Sequence, residues 1–305
     1  MRYLTKIFSF FSEHLKFEIN YPIGKKTWFG VGGKVLIFVT VNSLKCLIFL
    51  LKIIPRSIPI YIIGSGSNLI IRDGGYRGII LKLGSYFKKI DLDLSNCILE
   101  VGAGAKDSEV TKFCEEKKIG GFEFLKGIPG TIGGNIRMNA GCFGSCISDS
   151  LKSITILDRN GKVKDFEKQD IEFGYRNTSL KREHIIVKAK FKFKIKDRSL
   201  IRKKHKKIIQ QKNLSQPSSS RTGGSTFTNP SSVEAWKLVD KLGYRGKVFG
   251  GAMVSSKHAN FIINHNNASA LEIELLAEEI RQKTKKKFNI NLNWEIKRIG
   301  NFKKI

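Results

Sequence analysis

The middle of this sequence is a glycine-rich stretch that only a few kinds of structure can use. Five glycines and a proline lie between Gly127 and Gly141, as Gly-Ile-Pro-Gly-Thr-Ile-Gly-Gly followed by Asn-Ala-Gly. Structural turns explain one or two such glycines. A backbone cradle around a diphosphate explains their density better, because glycine lets the main chain approach a ligand and successive N–H groups bind phosphate oxygens. The stretch therefore predicts a site for a phosphorylated ligand.

A second glycine segment, Gly64-Ser-Gly-Ser-Asn68, lies between the β-rich runs Ile60–Ile63 and Leu69–Ile71. It lacks the third glycine of the usual dinucleotide fingerprint, and the residues after it are typical of a strand rather than a helix. Two interpretations stay open, an anion-binding nest and a tight hairpin. The segment taken alone favours the hairpin.

Short β-rich segments bounded by glycine or aspartate fill the first half of the chain, and helical patterns follow. Strands are predicted at Val35–Val41, Ile60–Ile63, Leu69–Ile71, Ile79–Leu83, Ile98–Val101, Ile154–Leu157 and Ile185–Ile195, and helices at Asp107–Lys118 and Ser199–Lys212. Later, Ser231–Glu234 and Ser269–Glu272 both have the capping-box pattern that begins a helix. The mixture predicts an α+β protein with a domain boundary near residues 197–220.

Two patterns near the C-terminus predict which side chains face the core. In the helix after Ser269, Leu271, Leu275 and Ile280 are expected on the buried side. From residue 290 to residue 296 apolar and polar side chains alternate, which predicts a strand with Glu295 on its polar face. A carboxylate in that position is by default solvated.

The charge of the chain is its most misleading property. Its 305 residues include 55 Lys+Arg and 26 Asp+Glu, a formal net charge of +29. Such an excess suggests nucleic acid, because lysine and arginine displace counterions from phosphates. The basic residues are spread along the whole sequence, however, and no zinc-finger spacing, aromatic RNA-binding signature or basic-zipper heptad occurs. Nucleic-acid binding is therefore kept only as an alternative.

Targeting and redox signals indicate a cytoplasmic protein without a membrane partner. Met1–Phe17 lacks the uncharged core and cleavage site of a signal peptide. The apolar runs fall short of the ~20 residues that span a bilayer. Five cysteines form an odd set without a framework or metal-site pattern, which favours free thiols.

Three polar residues near glycines or strands are candidates for chemistry, each with a simpler alternative. Arg176 follows Gly-Tyr after a β-rich run, where an arginine is usually a surface ion-pair partner. Ser225 follows two glycines, so a ligand could approach its hydroxyl, although a turn serine is an equal interpretation. With Glu295 they form no Ser-His-Asp or paired-carboxylate motif.

Eight short segments are weak signals individually, but their order along the chain is specific for one family. They are Gly30–Gly33, Gly64–Asn68, Arg72–Gly75, Gly127–Gly130, Arg137–Gly141, Tyr175–Arg176, Gly224–Phe227 and Lys257–Asn260. In this order they resemble the UDP-N-acetylenolpyruvoylglucosamine reductases, flavoenzymes of bacterial peptidoglycan synthesis. The resemblance extends from about Asn20 to Gly300, and the absence of a long insertion between Arg176 and Ser225 is similar to the shorter class of the family.

The resemblance implies a fold and a reaction. The fold is the α+β, vanillyl-alcohol-oxidase type of FAD-binding fold. Two FAD-binding subdomains are expected at residues 1–83 and 84–200, and a substrate-binding domain at 201–305 whose last residues return to the first subdomain. FAD is held non-covalently, and NADPH supplies the hydride that reduces UDP-N-acetylglucosamine enolpyruvate to UDP-N-acetylmuramate. The implied protein is a cytoplasmic monomer that acts on small molecules, with no nucleic-acid or membrane partner.

The resemblance also implies the site residues. Arg176 stabilises the enolate-like oxygen anion, Ser225 protonates the adjacent carbon, and Glu295 assists as a protonated hydrogen-bond donor. Asn229 and Lys212 contact the substrate diphosphate, and no metal is implied. The expected FAD-binding residues are Gly64, Ser65, Gly66, Ser67, Asn68, Gly127, Ile128, Pro129, Gly130, Gly133, Gly134, Asn139, Ala140 and Gly141.

Two other functions compete with the reductase. One is a flavin oxidase of the same fold, against which the joint presence of Arg176, Ser225 and Glu295 argues. The other, from a different class, is the basic nucleic-acid-binding protein. A visible flavin spectrum would separate an enzyme from a nucleic-acid-binding protein.

Overall fold

A computed structural model of the chain describes residues 13–218, 220–231 and 233–303. The absence of a signal peptide was inferred from Met1–Phe17, of which residues 1–12 lie outside the described part. Among the described residues, no helix has both the length and the apolar composition needed to cross a bilayer.

The elements alternate between helix and strand along the chain. The helices are α1 (Leu44–Ile53), α2 (Asp107–Glu116), α3 (Ile132–Arg137), α4 (Ile147–Ser150), α5 (Arg198–Ser215), α6 (Ala235–Lys241) and α7 (Ala270–Phe288). The strands are β1 (Leu15–Tyr21), β2 (Val35–Val41), β3 (Ile60–Ile63), β4 (Leu69–Ile71), β5 (Tyr76–Leu83), β6 (Ile90–Asp93), β7 (Ile98–Gly102), β8 (Ile119–Gly120), β9 (Gly141–Cys142), β10 (Ser145–Cys146), β11 (Leu151–Leu157), β12 (Val163–Glu167), β13 (Phe173–Gly174), β14 (Asn177–Thr178), β15 (Ile185–Lys192), β16 (Lys194–Ile195), β17 (Val248–Phe249), β18 (Ala252–Val254), β19 (Ile262–Asn264) and β20 (Lys297–Ile299). Short 3-10 turns occur at Ile23–Lys26, Ser85–Lys88, Glu123–Gly127 and Lys168–Asp170.

The chain divides into two compact units, each made of separate stretches of sequence. The first unit combines the described residues up to Glu18 with Ile37–Ser65 and Ile79–Gln210. The second combines Ile19–Leu36, Gly66–Gly78 and the described residues from Gln211 onward.

The first unit is built around two sheets. The larger has the strand order β12-β11-β15-β7-β6, with every neighbouring pair antiparallel. In its central strand β15, Val187, Ala189 and Phe191 are buried and Lys190 is exposed, because alternate side chains of a strand point to opposite faces. The other sheet has the order β1-β2-β5-β3, in which β3 and β5 run parallel.

The core of the second unit lies between α7 and the small sheet β17-β18-β19. Helix α7 buries Ile273, Leu276, Ala277 and Ile280 in a cluster that also contains Phe227. Parallel pairing of β4 with β20 brings residues 69–71 beside residues 297–299.

The Arg72–Gly75 segment holds this core together. Arg72 donates two hydrogen bonds to the carboxylate of Glu274, at 2.9 and 3.1 Å, and Glu274 is only 4% exposed. Asp73 accepts from the first backbone N–H groups of α7, those of Ala270 and Leu271, at 3.0 and 2.9 Å. A negative charge at a helix N-terminus is stabilising. The role of this segment in the structure is therefore to anchor α7.

Most predicted strands and helices are present. Val35–Val41, Ile60–Ile63 and Leu69–Ile71 are strands with those bounds, and the predicted strand at 185–195 is interrupted between β15 and β16. The tight-hairpin interpretation of residues 64–68 is wrong, because β3 pairs with β5 whereas β4 pairs with β20.

Three predictions of local detail near the C-terminus are wrong, and two are confirmed. Helix α6 begins at Ala235 with Glu234 as its N-cap, so Ser231 does not begin it; Ser232 lies outside the described residues. The capping box at Ser269–Glu272 is present. Ile280 is buried as predicted. Leu271 and Leu275 are exposed, because the buried side of α7 contains Ile273, Leu276 and Ala277 instead. Residues 290–296 form no regular strand; the segment makes one isolated bridge, between Trp294 and Phe227, before β20 begins.

Candidate active site

Two glycine segments that are far apart in sequence touch each other in the first unit. The hydroxyl of Ser65 donates to the carbonyl of Gly130 at 3.1 Å. A Cβ atom on Gly64 would lie 2.5 Å from Oγ1 of Thr131, so only glycine allows this approach. Residues Gly64 and Ser65 together with Gly127–Gly141 are called the glycine cradle below. Thr131 was not among the predicted site residues, although it lies inside the predicted segment.

A buried carboxyl group supports the cradle from α2. Asp107 is 1% exposed and accepts a 2.6 Å hydrogen bond from the amide of Asn135 through Oδ1. Its Oδ2 finds no hydrogen-bond partner among the described residues, and a Cβ on Gly130 would lie 2.8 Å from it. Burial raises the pKa of Asp107 to about 8, and the hydrogen bond from Asn135 opposes part of that rise. Sequence patterns gave no signal for this pair.

Arg176 occupies a strained position at the tip of a short hairpin. Strands β13 and β14 leave only Tyr175 and Arg176 in the turn, and Arg176 has a φ of 59°, a conformation that favours glycine. Its guanidinium donates to the carbonyl of Gly141 at 3.0 Å and lies 5.2 Å from the centre of the Tyr175 ring. The amide of Asn139 donates to Gly174 at 3.0 Å, so the hairpin is attached to the glycine cradle at two points.

The two cysteines of this region are free thiols with separate surroundings. In the β9–β10 hairpin, Cys142 is opposite Ser145 and Cys146 is opposite Gly141. Adjacent pairs in a hairpin point to opposite faces, so the two sulfur atoms diverge. Cys142 donates to the carbonyl of Phe124, and Cys146 donates to Asp149.

Ser225 lies in a loop of the second unit, after two glycines whose missing side chains leave room for other groups. A Cβ on Gly223 would clash with the ring of Phe29. Gly224 has a φ of 84°, and no atom of the described residues lies within 4 Å of the position its Cβ would take. Ser225 itself is half-buried. A ligand can therefore reach the serine from the side of Gly224.

The backbone of Glu295 is held between the segments that contain Ser225 and Asn68. Its N–H donates to the carbonyl of Thr226 at 2.9 Å, and its carbonyl accepts from the amide of Asn68 at 3.2 Å. The N–H of Lys297 donates in turn to the carbonyl of Asn68 at 3.1 Å. The segments Ser225–Phe227 and Trp294–Glu295 are called the serine–glutamate region below.

The two predicted substrate-binding residues also belong to the second unit. Asn229 is exposed, and its Oδ1 accepts from the N–H of Ala235 at 2.9 Å, so this side chain caps α6. Lys212 is half-buried near the end of α5. Of the predicted residues, the second unit thus contains Gly66, Ser67, Asn68, Lys212, Ser225, Asn229 and Glu295, and the first contains Arg176 and the glycine cradle.

Two buried amide oxygens, one in each unit, are available to accept a hydrogen bond from a ligand. The Oδ1 atoms of Asn68 and Asn139 are both buried, and neither has a hydrogen-bond partner among the described residues. Buried polar atoms are rarely left unsatisfied, because an unmade hydrogen bond costs about 1–3 kcal/mol. In the first unit, the amide oxygen of Asn139 and the close backbone approach at Gly64 and Gly130 fit a ligand with hydroxyl, N–H and phosphate groups, as FAD has.

Known proteins resemble the chain over nearly its whole length. It is 42% identical to the UDP-N-acetylenolpyruvoylglucosamine reductase of Rickettsia prowazekii (strain Madrid E), over 94% of this chain and 97% of that protein. It is 40% identical to the protein of the same name from Paramagnetospirillum magneticum, over 93% and 92%. The chain belongs to the UDP-N-acetylenolpyruvoylglucosamine reductase family. The resemblance inferred from the ordered motifs is therefore confirmed.

A solved structure and two family models agree with this membership. The UDP-N-acetylenolpyruvylglucosamine reductase of Thermus caldophilus superimposes with a TM-score of 0.79 at 26% identity, over 93% of this chain and 98% of that one. An FAD binding domain matches residues 35–167, and the UDP-N-acetylenolpyruvoylglucosamine reductase, C-terminal domain, matches residues 216–299. The predicted α+β, FAD-binding fold is confirmed. The first match includes the glycine cradle and the second includes Ser225 and Glu295, whereas Arg176 and Lys212 lie between the two.

Proposed function

We propose that the chain reduces UDP-N-acetylglucosamine enolpyruvate to UDP-N-acetylmuramate in peptidoglycan precursor synthesis, as an FAD-containing reductase that uses NADPH. The family assigns the reaction, and the proposal concerns the residues that perform it. The observation that carries it is the position of Glu295, whose backbone bonds to Asn68 of a glycine segment on one side and to Thr226 beside Ser225 on the other. A flavin-binding segment and two candidate catalytic residues are thus joined by direct hydrogen bonds.

FAD is held by main-chain groups more than by charges. When bound, it supplies to the substrate the hydride that it has taken from NADPH. Backbone N–H groups of the glycine cradle would hold its phosphates, and the buried amide oxygen of Asn139 would accept a hydrogen bond from one of its polar groups. The proposed FAD-binding residues are Gly64, Ser65, Gly66, Ser67, Asn68, Gly127, Ile128, Pro129, Gly130, Gly133, Gly134, Asn139, Ala140 and Gly141.

Arg176 stabilises negative charge on the substrate. Hydride addition to the enolpyruvyl methylene carbon leaves carbanion character beside a carboxylate, an enolate-like species that needs a cation or hydrogen-bond donors. The guanidinium of Arg176 is fixed in advance by Gly141 and Tyr175, so little reorganisation is needed when the charge develops. Its strained backbone supports a functional role, since a residue with a positive φ persists where function requires it.

Ser225 and Glu295 complete the reaction at the neighbouring carbon. Ser225 donates its hydroxyl proton to that carbon as the general acid. Glu295, in its protonated form, donates a hydrogen bond to the same enolate. Asn229 contacts the substrate diphosphate through its amide nitrogen, and Lys212 supplies a positive charge for it.

The domain division, location and assembly are part of the proposal. FAD-binding subdomains at 1–83 and 84–200 precede a substrate-binding domain at 201–305, and pairing of β20 with β4 supports the return of the last residues to the first subdomain. We propose a cytoplasmic monomer without nucleic-acid or membrane partners. In the two most basic helices, Arg202, Lys204 and Lys283 pair with carboxylates, which supports a structural use for part of their charge.

The experiment measures two half-reactions separately in the FAD-loaded protein. The first is reduction of the flavin by NADPH, and the second is its reoxidation by the enolpyruvyl sugar. Under anaerobic conditions, Ser225→Ala should be reduced by NADPH at the normal rate. Reoxidation by the enolpyruvyl sugar should fall by about 10²- to 10⁴-fold, the usual contribution of a general acid. Ser256→Ala, an exposed serine of the same unit, is the control and should behave as the unmodified protein. Normal reoxidation of Ser225→Ala would exclude this serine as the proton donor.

A further inference from the structure

The side chain of Asn260 is bonded to the backbone of a residue two positions from Ser225. Asn260 is 4% exposed, and its Oδ1 accepts from the N–H of Phe227 at 3.0 Å. Its Nδ2 donates to the carbonyl of the same Phe227 at 2.8 Å. One amide side chain therefore pairs with both backbone groups of one residue, as a neighbouring strand would.

The main chain around Asn260 extends this attachment. The N–H of Thr226 donates to the carbonyl of Asn260 at 2.7 Å. The N–H of Ile262 donates to the hydroxyl of Thr226 at 3.3 Å. The two residues that follow Ser225 are thus fixed by the segment from Asn260 to Ile262.

The opposite side of the same two residues bears Glu295. The carbonyl of Thr226 accepts from the N–H of Glu295, and the ring of Phe227 meets the ring of Trp294 edge-on, with 5.8 Å between centres. Thr226 and Phe227 consequently lie between Asn260 and the backbone of Glu295. A shift of this pair would move Ser225 and Glu295 together.

Only a primary amide of this length satisfies the position. Both backbone groups of Phe227 are buried, one requiring an acceptor and the other a donor, and an asparagine supplies both. Both polar atoms of the Asn260 side chain are engaged in this way, so Asn260 acts on the reaction through the groups it holds.

We propose that Asn260 is a positioning residue for substrate protonation, which sets Ser225 and Glu295 in the geometry that delivers the proton. The proposal rests on the roles of Ser225 and Glu295 given above. Neither the Lys257–Asn260 motif nor its spacing predicts this role from sequence, since the partner of Asn260 is 33 residues away.

The test compares Asn260 with an asparagine that holds other backbone groups of the same unit. Asn264 donates to the carbonyl of Phe29 at 3.0 Å and accepts from the N–H of Ala268 at 2.8 Å. In the FAD-loaded full chain, Asn260→Ala should be reduced by NADPH normally but reoxidised by the enolpyruvyl sugar about 10- to 100-fold more slowly, as expected for a misplacement of about 1 Å. The Kd for the sugar should change little. Asn264→Ala should lose thermal stability to a similar degree without this selective defect.

A second variant tests the donor and acceptor requirement through pH. In Asn260→Asp the carboxylate faces the carbonyl of Phe227 and repels it, whereas the protonated acid can donate there. Reoxidation by this variant should therefore recover as the pH falls, and the Asn264→Asp variant should show no such recovery. This readout decides the question even if Asn260→Ala does not fold.

The outcomes separate this inference from the proposed function. If Ser225→Ala is slow in reoxidation and Asn260→Ala is normal, the positioning role is overturned and the role of Ser225 stands. If Ser225→Ala is normal, the proposed proton-donor role of Ser225 fails whatever Asn260 does. If Asn260 acts through Ser225, the double variant should be no slower than Ser225→Ala alone, because effects within one unit are not additive. Equal losses in both half-reactions, matched by Asn264→Ala, would also overturn the inference.

Discussion

The glycine cradle and the serine–glutamate region hold their backbone segments in place by opposite means. In the cradle, backbone segments approach each other because side chains are missing, as at Gly64 against Thr131 and Gly130 against Asp107. In the serine–glutamate region, the backbone is fixed because amide side chains are present. Asn68 bonds to Glu295 there, and Asn260 bonds to Phe227.

This difference determines which mutations each region tolerates. A cradle formed by backbone is damaged when an atom is added, because the added Cβ occupies space that the main chain or the ligand needs. A loop held by buried amides is damaged when atoms are removed, because backbone groups are left without partners. Arg176 combines the two features, since the side chain proposed to stabilise the substrate stands at a backbone position suited to glycine.

Among the variants that compare the two regions, Arg176→Gly should have the largest effect. It removes the guanidinium but keeps a residue suited to the backbone, so it tests the role of the side chain apart from folding. Glycine adopts a φ of 59° without the roughly 1 kcal/mol cost that other residues incur, so the hairpin should keep its fold. Reoxidation by the enolpyruvyl sugar should fall by about 10²- to 10³-fold, because a preorganised cation is lost. Stopped-flow absorbance of the flavin and the thermal midpoint measure the two effects.

Arg176→Lys is the matched variant for this prediction. It keeps the charge and the backbone strain but lacks the planar guanidinium that donates to Gly141. Its reoxidation rate should lie between those of the unmodified protein and Arg176→Gly. A large drop in the thermal midpoint of Arg176→Gly, with loss of FAD, would instead show that Arg176 maintains the structure.

A smaller effect is expected where an atom is added to the cradle. In Gly130→Ala, the new methyl group would lie 2.8 Å from oxygen atoms of both Asp107 and Asn135. Overpacking of about 1–3 kcal/mol should weaken FAD binding about 10- to 100-fold, measured by the fluorescence of released flavin. In the control Gly174→Ala the methyl group meets nothing closer than 3.9 Å, and FAD should be retained. If Gly130→Ala and Gly174→Ala retained FAD equally well, the cradle would tolerate an added atom, and the proposed difference between the two regions would be wrong.

The two regions also differ in how well sequence reasoning finds them. The cradle is visible locally, because five glycines in a short stretch have few structural uses, but its contact with residues 64 and 65 is not, since that segment alone favours a hairpin. The serine–glutamate region depends on hydrogen bonds between residues 33 to 227 positions apart, which no local pattern contains. Even Glu295, which the family resemblance implies as a site residue, is predicted on a regular strand, whereas residues 290–296 form a single bridge to Phe227.

Long-range packing explains the other differences. Ile280 is buried as predicted, but Leu271 and Leu275 are exposed. The N-terminus of α7 is fixed by Asp73, and the buried side of the helix contains Ile273 and Leu276 instead. Asp107 was interpreted only as the first residue of a helix. Its burial depends on Gly130 and Asn135, which follow it by 23 and 28 residues.

The last prediction concerns the carboxyl group beneath the cradle. Because burial raises the pKa of Asp107 to about 8, the folded protein keeps a proton there that the unfolded chain, with a pKa near 3.8, has already released. Between pH 4 and pH 8 the folded state therefore binds more protons than the unfolded chain, and its stability falls as the pH rises. Asp107→Asn has the same shape and cannot titrate.

The free energy of unfolding of Asp107→Asn minus that of the unmodified protein should therefore increase as the pH rises from 4 to 8. Above pH 8 this difference should stay constant. Urea denaturation at fixed pH, with saturating FAD, measures it, and subtraction of the two curves cancels the titration of every other group. Parallel curves would mean that Asp107 ionises in the folded protein at its ordinary pKa, so that the cradle rests on a solvated charge. A growing difference would mean that Asp107 stays a neutral acid in the folded protein, so that no negative charge lies beneath the cradle to repel a phosphate there.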